Sequence, residues 1–131
     1  MNSRCLSLGL LFVLLGSLVL GCGKSAPKLH DVTGTVKLDG QNVPEGDIMF
    51  VSDDKSVGAE GGKIKDGKYT IKARDGKSRV EIRAVRLVPG KKGPMGEDAI
   101  EDYIPEKYNS KSDLEVEIRV GKTVHNFDLT K

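Results

Sequence analysis

Residues 61–83 read GGKIKDGKYTIKARDGKSRVEIR, and the fold class turns on how this stretch alternates. Two Asp-Gly pairs punctuate it, Asp66-Gly67 and Asp75-Gly76. Asp-Gly suits a two-residue type I′ turn, because both central residues of such a turn need positive φ. A turn at Asp66-Gly67 sets Lys65 against Lys68 and Ile64 against Tyr69. A turn at Asp75-Gly76 sets Arg74 against Lys77, Ala73 against Ser78, Ile71 against Val80 and Tyr69 against Ile82. Both registers put Ile64, Tyr69, Ile71, Val80 and Ile82 on one face. A slip of one residue would expose that whole set, so the stretch predicts three antiparallel strands with one buried side.

The same pattern extends in both directions. Upstream, Val32, Val36 and Leu38 alternate into Asp39-Gly40, and Val43 and the strand DIMFVS follow. Downstream, LEVEIRVGKTVHNFDLT (114–130) carries Gly121-Lys122, which suits a type II′ turn. That turn pairs Val120 with Thr123, Ile118 with His125, Val116 with Phe127 and Leu114 with Leu129, with Glu115, Glu117 and Arg119 outward. The total is about seven short strands with frequent turns, the profile of an all-β antiparallel sandwich in preference to a barrel. Residues 89–113, PGKKGPMGEDAIEDYIPEKYNSKSD, break the pattern. They predict a long loop, and links of this length are uncommon unless functional or disordered. Its acids Glu97, Asp98, Glu101 and Asp102 fit a helical turn only against like-charge repulsion. Ile100, Tyr103, Ile104 and Tyr108 are expected to pin its second half to the sandwich.

At the other end of the chain, Arg4 is the only charge before Lys24, and CLSLGLLFVLLGSLVLG separates Arg4 from Cys22. This apolar run is short and interrupted by Gly and Ser for a spanning helix of about 20 apolar residues. A basic start followed by such a run reads as a secretory signal peptide, residues 1–21. The ending Val19-Leu20-Gly21-Cys22 resembles the lipobox of bacterial lipoproteins. That resemblance implies cleavage before Cys22 and acylation of its thiol, palmitate included, so that the chain is anchored in a membrane of the cell envelope. Gly23, where an Asp would favour retention in the inner membrane, points to the outer membrane. Residues 22–30 are then the lipidated cysteine and a spacer, and residues 31–131 the sandwich domain.

Loss of the first 21 of 131 residues leaves 110, one domain of ordinary size. Arg4 departs with them, which leaves 20 lysines and arginines against 19 acids. Such balance argues against a nucleic-acid binder, which would show a basic stripe. Cys5 is removed and Cys22 is consumed by lipid. The expected domain therefore has no disulfide, thiolate metal site or cysteine nucleophile. Trp is absent and aromatics are few, which weakens an aromatic sugar-stacking platform.

Three segments together carry a wider resemblance: VTGTVKLDGQNVPEGDIMF, IKDGKYTI and IPEKYNSKSDLEVEIRVGKTVHNFDL. Gly34, Val36, Asp39, Gly40 and Phe50 fill the places of a Gly-x-Val, Asp-Gly, Val-x-Phe-like opening, and Asp66, Gly67 and Tyr69 those of an Asp-Gly-x-Tyr hairpin. In this order they resemble the carboxypeptidase-regulatory-like, transthyretin-type seven-strand sandwich found in many bacterial lipoproteins. The resemblance covers nearly the whole expected domain. It implies that fold and a non-catalytic accessory role, and it supplies no substrate or binding residue.

The chemistry-bearing residues are sparse. The transthyretin-type fold includes 5-hydroxyisourate hydrolases, which need several histidines, an arginine and a terminal Tyr-Arg-Gly-Ser. This chain has only His30 and His125 and ends NFDLTK, so structural histidines are the better account. Gly-Lys-Ser at 23–25 and 76–78 lacks the upstream glycine of a phosphate loop, its place held by Leu18 and Ile71. Asp53, Asp54 and Glu60, like the acids of 97–102, lack EF-hand spacing for calcium. Arg79, Glu81 and Arg83 alternate on an outward face, where cross-strand pairing explains them. The expectation is a non-enzymatic, membrane-anchored binding or scaffolding module without cofactor or metal. Its contacts would be the 89–113 loop and an exposed sheet edge, and its partner an envelope protein. The alternatives are a polysaccharide-binding module, with Tyr103 and Tyr108 as stacking faces, and a small hydrolase dependent on His125.

Overall fold

The computed structural model describes residues 28–131, and the expectations for the signal segment, Cys22 and most of the spacer lie outside the described residues. The fold is all-β and sandwich-like, as the alternation predicts. Its strands are β1 (Leu29–Leu38), β2 (Gln41–Asn42), β3 (Glu45–Ser52), β4 (Ala59–Lys65), β5 (Lys68–Arg74) and β6 (Gly76–Arg83), then β7 (Val85–Lys92), β8 (Asp98–Asp102), β9 (Glu115–Ile118) and β10 (Phe127–Leu129). One sheet runs β10-β1-β5-β4-β3-β6-β9, with β2 added on β1, and β7 and β8 form a separate two-stranded arm. The first strand starts at Leu29, two residues before the expected domain boundary.

Two of the three Asp-Gly pairs are the expected turns. Asp39 and Asp66 have φ of 50°, and Gly40 and Gly67 follow with 80° and 73°. The registers agree as well: Leu38 faces Gln41, Lys65 faces Lys68 and Ile64 faces Tyr69. The third pair is different. Asp75 keeps a negative φ while Gly76 takes 119°, and β5 and β6 do not pair. β5 pairs with β1 along seven residues, and with β4 only at Lys68 and Tyr69. After Asp75 the chain crosses over, and β6 pairs with β3 along six residues and with β9 instead, Phe50 facing Val80. The expected pairs Ala73–Ser78 and Ile71–Val80 do not form, yet all four side chains are buried in the same core.

The C-terminal hairpin is also corrected. Arg119 bridges Lys122 across a turn at Val120-Gly121, not Gly121-Lys122. From there β9 lies on β6 and β10 runs parallel to β1, Val36 facing Phe127. Ile118, Phe127 and Leu129 are buried as expected, because the inward face survives the change of partner. Val120, expected inward, is instead 81% exposed at the turn.

The sheet curls where β4 leaves β5. These strands pair only over Ile64 and Lys65, whereas β4 follows β3 for seven residues. Gly62 lets the Ile71 side chain pack against β4 beyond the last paired residues, since a Cβ there would lie 2.0 Å from Ile71 Cγ2. The curl encloses Phe50, Ile48, Ile64, Ile82, Ile118, Leu129 and the valines 32, 36, 43 and 80. Closure comes from Gly34, which faces Tyr69 and leaves room for the His125 carbonyl, 1.7 Å from where a Cβ would stand.

Residues 89–113 are not an irregular loop. Their first part continues β7 and returns as β8, with Leu87 facing Ile100 and Arg86 facing Glu101. The acids Asp98, Glu101 and Asp102 lie on β8 and Glu97 just before it, and no helical turn forms there. Ile100 does not pin this segment, being 65% exposed on the arm, whereas Ile104 is buried and Tyr103 and Tyr108 pack against the core. The return path lies along β6: Ser112 Oγ donates to Val80 O at 2.5 Å, and Val80 N donates to Leu114 O at 2.8 Å.

Gly34→Ala must push β10 off β1 and should cost about 3 kcal/mol, in the range of overpacked cores. Gly40→Ala meets open space and pays only the left-handed backbone penalty, about 1 kcal/mol. Urea unfolding of both variants, compared at unchanged m-value, checks this order.

Candidate functional site

The β1–β2 turn, the β2–β3 link and the base of the arm create a groove at one end of the sheet. Its volume is about 610 Å³, and its apolar floor is formed by Leu38, Val43, Pro44 and Val85. The floor is rigid for a local reason. The Asp66-Gly67 turn donates Asp66 N to Pro44 O (2.7 Å) and Gly67 N to Val43 O (2.8 Å), which ties the β2–β3 link to the β4–β5 hairpin. Asn42 Nδ2 donates to Asp66 O at 3.3 Å and completes the brace.

Polar groups rim this floor. Asp39, Gln41, Asn42 and Glu45 come from the β1–β2 turn and the strand after it, Arg86 and Tyr103 from the base of the arm, and Lys131 from the C-terminus. Asp39 Oδ1 accepts from Lys131 N at 3.2 Å, which folds the chain end over the turn. Arg86 is held in place from two sides. Its Nε and Nη2 donate to Glu101 Oε1 at 2.7 and 2.5 Å, and its guanidinium lies 5.6 Å from the centroid of the Tyr103 ring. Burial pushes the Tyr103 phenol up, opposed by the Arg86 charge. A planar donor fork fixed against an aromatic wall above an apolar floor can stack and hydrogen-bond a ligand or a partner side chain.

Of the two tyrosines singled out in the sequence, only Tyr103 lines the groove. Tyr108 instead ties down the C-terminal strand: its hydroxyl accepts from Thr130 N at 3.2 Å and meets Thr130 Oγ1 at 3.3 Å. The Lys107 ammonium sits 5.0 Å from its ring centroid. The hydrogen bonds to Thr130, chiefly, hold its phenol below the usual value. Sequence reasoning missed Arg86 and the Asp39–Glu45 rim. A strand-like residue two places beyond Ile82-Arg83-Ala84 carries no mark of facing a turn fifty residues earlier.

The remaining candidates are dispersed. Among the described residues, no group of three or more His, Cys, Asp or Glu converges as a metal site. Glu60 pairs with Arg74 at 3.2 Å, Asp98 with Lys92 at 2.5 Å, and Asp54 Oδ1 organises its own turn through Ser56 N and Oγ. Arg79 pairs with Glu81 at 2.9 Å on the outward face. Ser78 of the second Gly-Lys-Ser is buried. His30 faces Ala73 on β1, and His125 crosses Gly34 at the closure. The Nε2 atoms of both are buried without a hydrogen-bond partner among the described residues.

Burial, chiefly, lowers the His125 pKa from its ordinary 6.5, and the Lys122 charge adds to this against a backbone hydrogen bond that opposes it. Below pH 6.5 the unfolded chain takes up a proton that the folded chain refuses, so stability falls with pH down to the folded-state pKa. Thermal unfolding between pH 7.5 and 4.5 should show this slope, and His125→Gln should flatten it.

Comparison of the chain with protein-family models, curated proteins and solved structures returns no match.

Proposed function

We propose that this protein is a lipid-anchored, non-catalytic module of the bacterial envelope that binds a protein partner at the end of its sheet remote from the anchor. The observation that carries this reading is one of position along β1. Cys22 lies seven places before Leu29, where β1 begins, and Leu38 and Asp39 at its other end line the groove. The spacer reaches at most about 25 Å. Ten residues of strand span roughly 30 Å. A lipid on Cys22 would therefore hold one end of the sheet near the membrane and present the groove away from it.

The arm suits the same role. Val85, Leu87 and Ile100 are exposed on it, and Met95 is 93% exposed near its tip. Apolar side chains presented beside a fixed Arg and Tyr are the residue types that carry contact energy in protein interfaces. Two observations support a transthyretin-type sandwich as the finer fold. They are the curled strand path closed by a parallel β10 on β1, and the three sequence segments that resemble that family.

The test is affinity capture of tagged full-length protein from its native envelope after brief crosslinking, with intact-mass analysis of the mature N-terminus. An acyl mass on Cys22 and a stoichiometric protein partner are expected. Deleting residues 90–99 should abolish capture and leave the β-type circular dichroism intact; unchanged capture removes the arm from the interface. Arg86→Ala should weaken partner binding by about 2 kcal/mol, roughly thirty-fold, as for a central interface arginine. Capture of polysaccharide in place of protein would move the function to the glycan-binding alternative.

A further inference from the structure

The end of the sheet opposite the groove combines three features. The first is the origin of the tether: Lys28 O accepts from Asp75 N at 3.1 Å, so the spacer leaves beside the β5–β6 crossover. The second is an apolar tip. Val120 crowns the turn between Arg119 and Lys122, which is closed by Lys122 N donating to Arg119 O at 2.9 Å. Leu29 and Val124 are exposed on the adjoining β1–β10 edge, where Val124 bridges Thr33. The third is charge. Arg119 and Lys122 close the turn itself, Arg119 pairing with Glu117 at 3.6 Å. Lys77, opposite Glu117, and Lys28, beside Asp75, lie at the same end, and the loop next to Lys77 carries Asp53, Asp54 and Lys55. Ile118 faces Gly76 in the β6–β9 ladder, which sets the Val120 turn at the level of the tether.

We infer that this end rests on the surface of the bilayer that holds Cys22, with Val120 inserted among the lipid headgroups and Arg119 and Lys122 on anionic lipid. The inference rests on the lipid-anchor reading and adds an orientation to it. Six residues between Cys22 and Leu29 keep the tip within reach of the bilayer, so docking is intramolecular and runs at the millimolar effective concentration of a short linker. A single valine with a few cations binds a free bilayer weakly. Each cation near an anionic surface nevertheless strengthens binding about five-fold, and tethering makes such weak contacts sufficient. Docking at this end stands the sheet upright, with the groove and arm pointing outward.

The chain contains no tryptophan, so one introduced Trp reports unambiguously. Full-length Val120→Trp and Met95→Trp proteins, processed in a bacterial host, are reconstituted into phosphatidylglycerol–phosphatidylethanolamine vesicles with brominated acyl chains. The mass of each N-terminus is read on the same preparation. The expected result is quenched, blue-shifted emission from Trp at 120, unquenched emission from Trp at 95, and an acyl mass on Cys22. With the acyl mass present, unquenched emission at 120, or equal quenching at both positions, overturns the docking and leaves the anchor standing. Absence of the acyl mass overturns both.

Discussion

Tyr69 and Gly34 face each other across β5 and β1, and the rest of the domain is arranged around that pair. The missing Cβ of Gly34 leaves space for the Tyr69 ring and for the His125 carbonyl, to which the Tyr69 hydroxyl donates at 2.7 Å. The Tyr69 ring lies 6.1 Å from that of Phe50 and 6.2 Å from that of Phe127, so one side chain joins β5 to β3 across the curl and to β10 across the closure. Burial raises its phenol far above the ordinary range, and the neutral hydroxyl persists as a donor in the core. His125 N donates to Thr33 O at 3.0 Å beside it, completing the join without a cysteine among the described residues.

That closure explains where binding chemistry can stand. The core is filled from the inner face of the curled sheet, and the buried polar side chains of Asn109 and Ser112 hold the 103–114 return in place. Asn109 Nδ2, for example, donates to Ile104 O at 3.2 Å and Asp102 Oδ2 at 3.3 Å. Outside the core, polar groups line the outer face of the sheet in ion pairs such as Lys63–Asp47 and Lys72–Asp31, and gather at the ends of the strands, where turns and the arm meet. At the groove end they are braced by backbone hydrogen bonds between two turns. At the Leu29 end they lie near the exposed Val120. The two ends of β1 thus differ in chemistry, which is the structural basis for assigning them different neighbours.

Much of the fold was legible in the sequence because burial has a period of two in a strand. Ile64, Tyr69, Ile71, Val80, Ile82, Ile118, Phe127 and Leu129 were placed inward from alternation alone, and all are buried. Face assignment needs only the local pleat, so it survived errors in pairing. Much less of the candidate site was legible. Tyr103 could be singled out as an aromatic in a long link, but its partner Arg86 and the rim from Asp39 to Glu45 are brought to it by topology.

What the sequence by itself determined is the set of inward faces, two of three Asp-Gly turns and the tie of the 103–108 segment to the core. What only the tertiary structure decided is which strands lie side by side. The dipeptides at Asp66-Gly67 and Asp75-Gly76 are identical, and only the first is a hairpin. At the second, β5 keeps β1 as its partner along seven residues and β6 pairs with β3 over six, so the same dipeptide becomes a crossover. Val120 followed the same logic: once β9 joined β6 and β10 joined β1, the link between them had to turn outward at one end of the domain. Edge occupancy is a property of the assembled sheet, and no local stretch of residues encodes it.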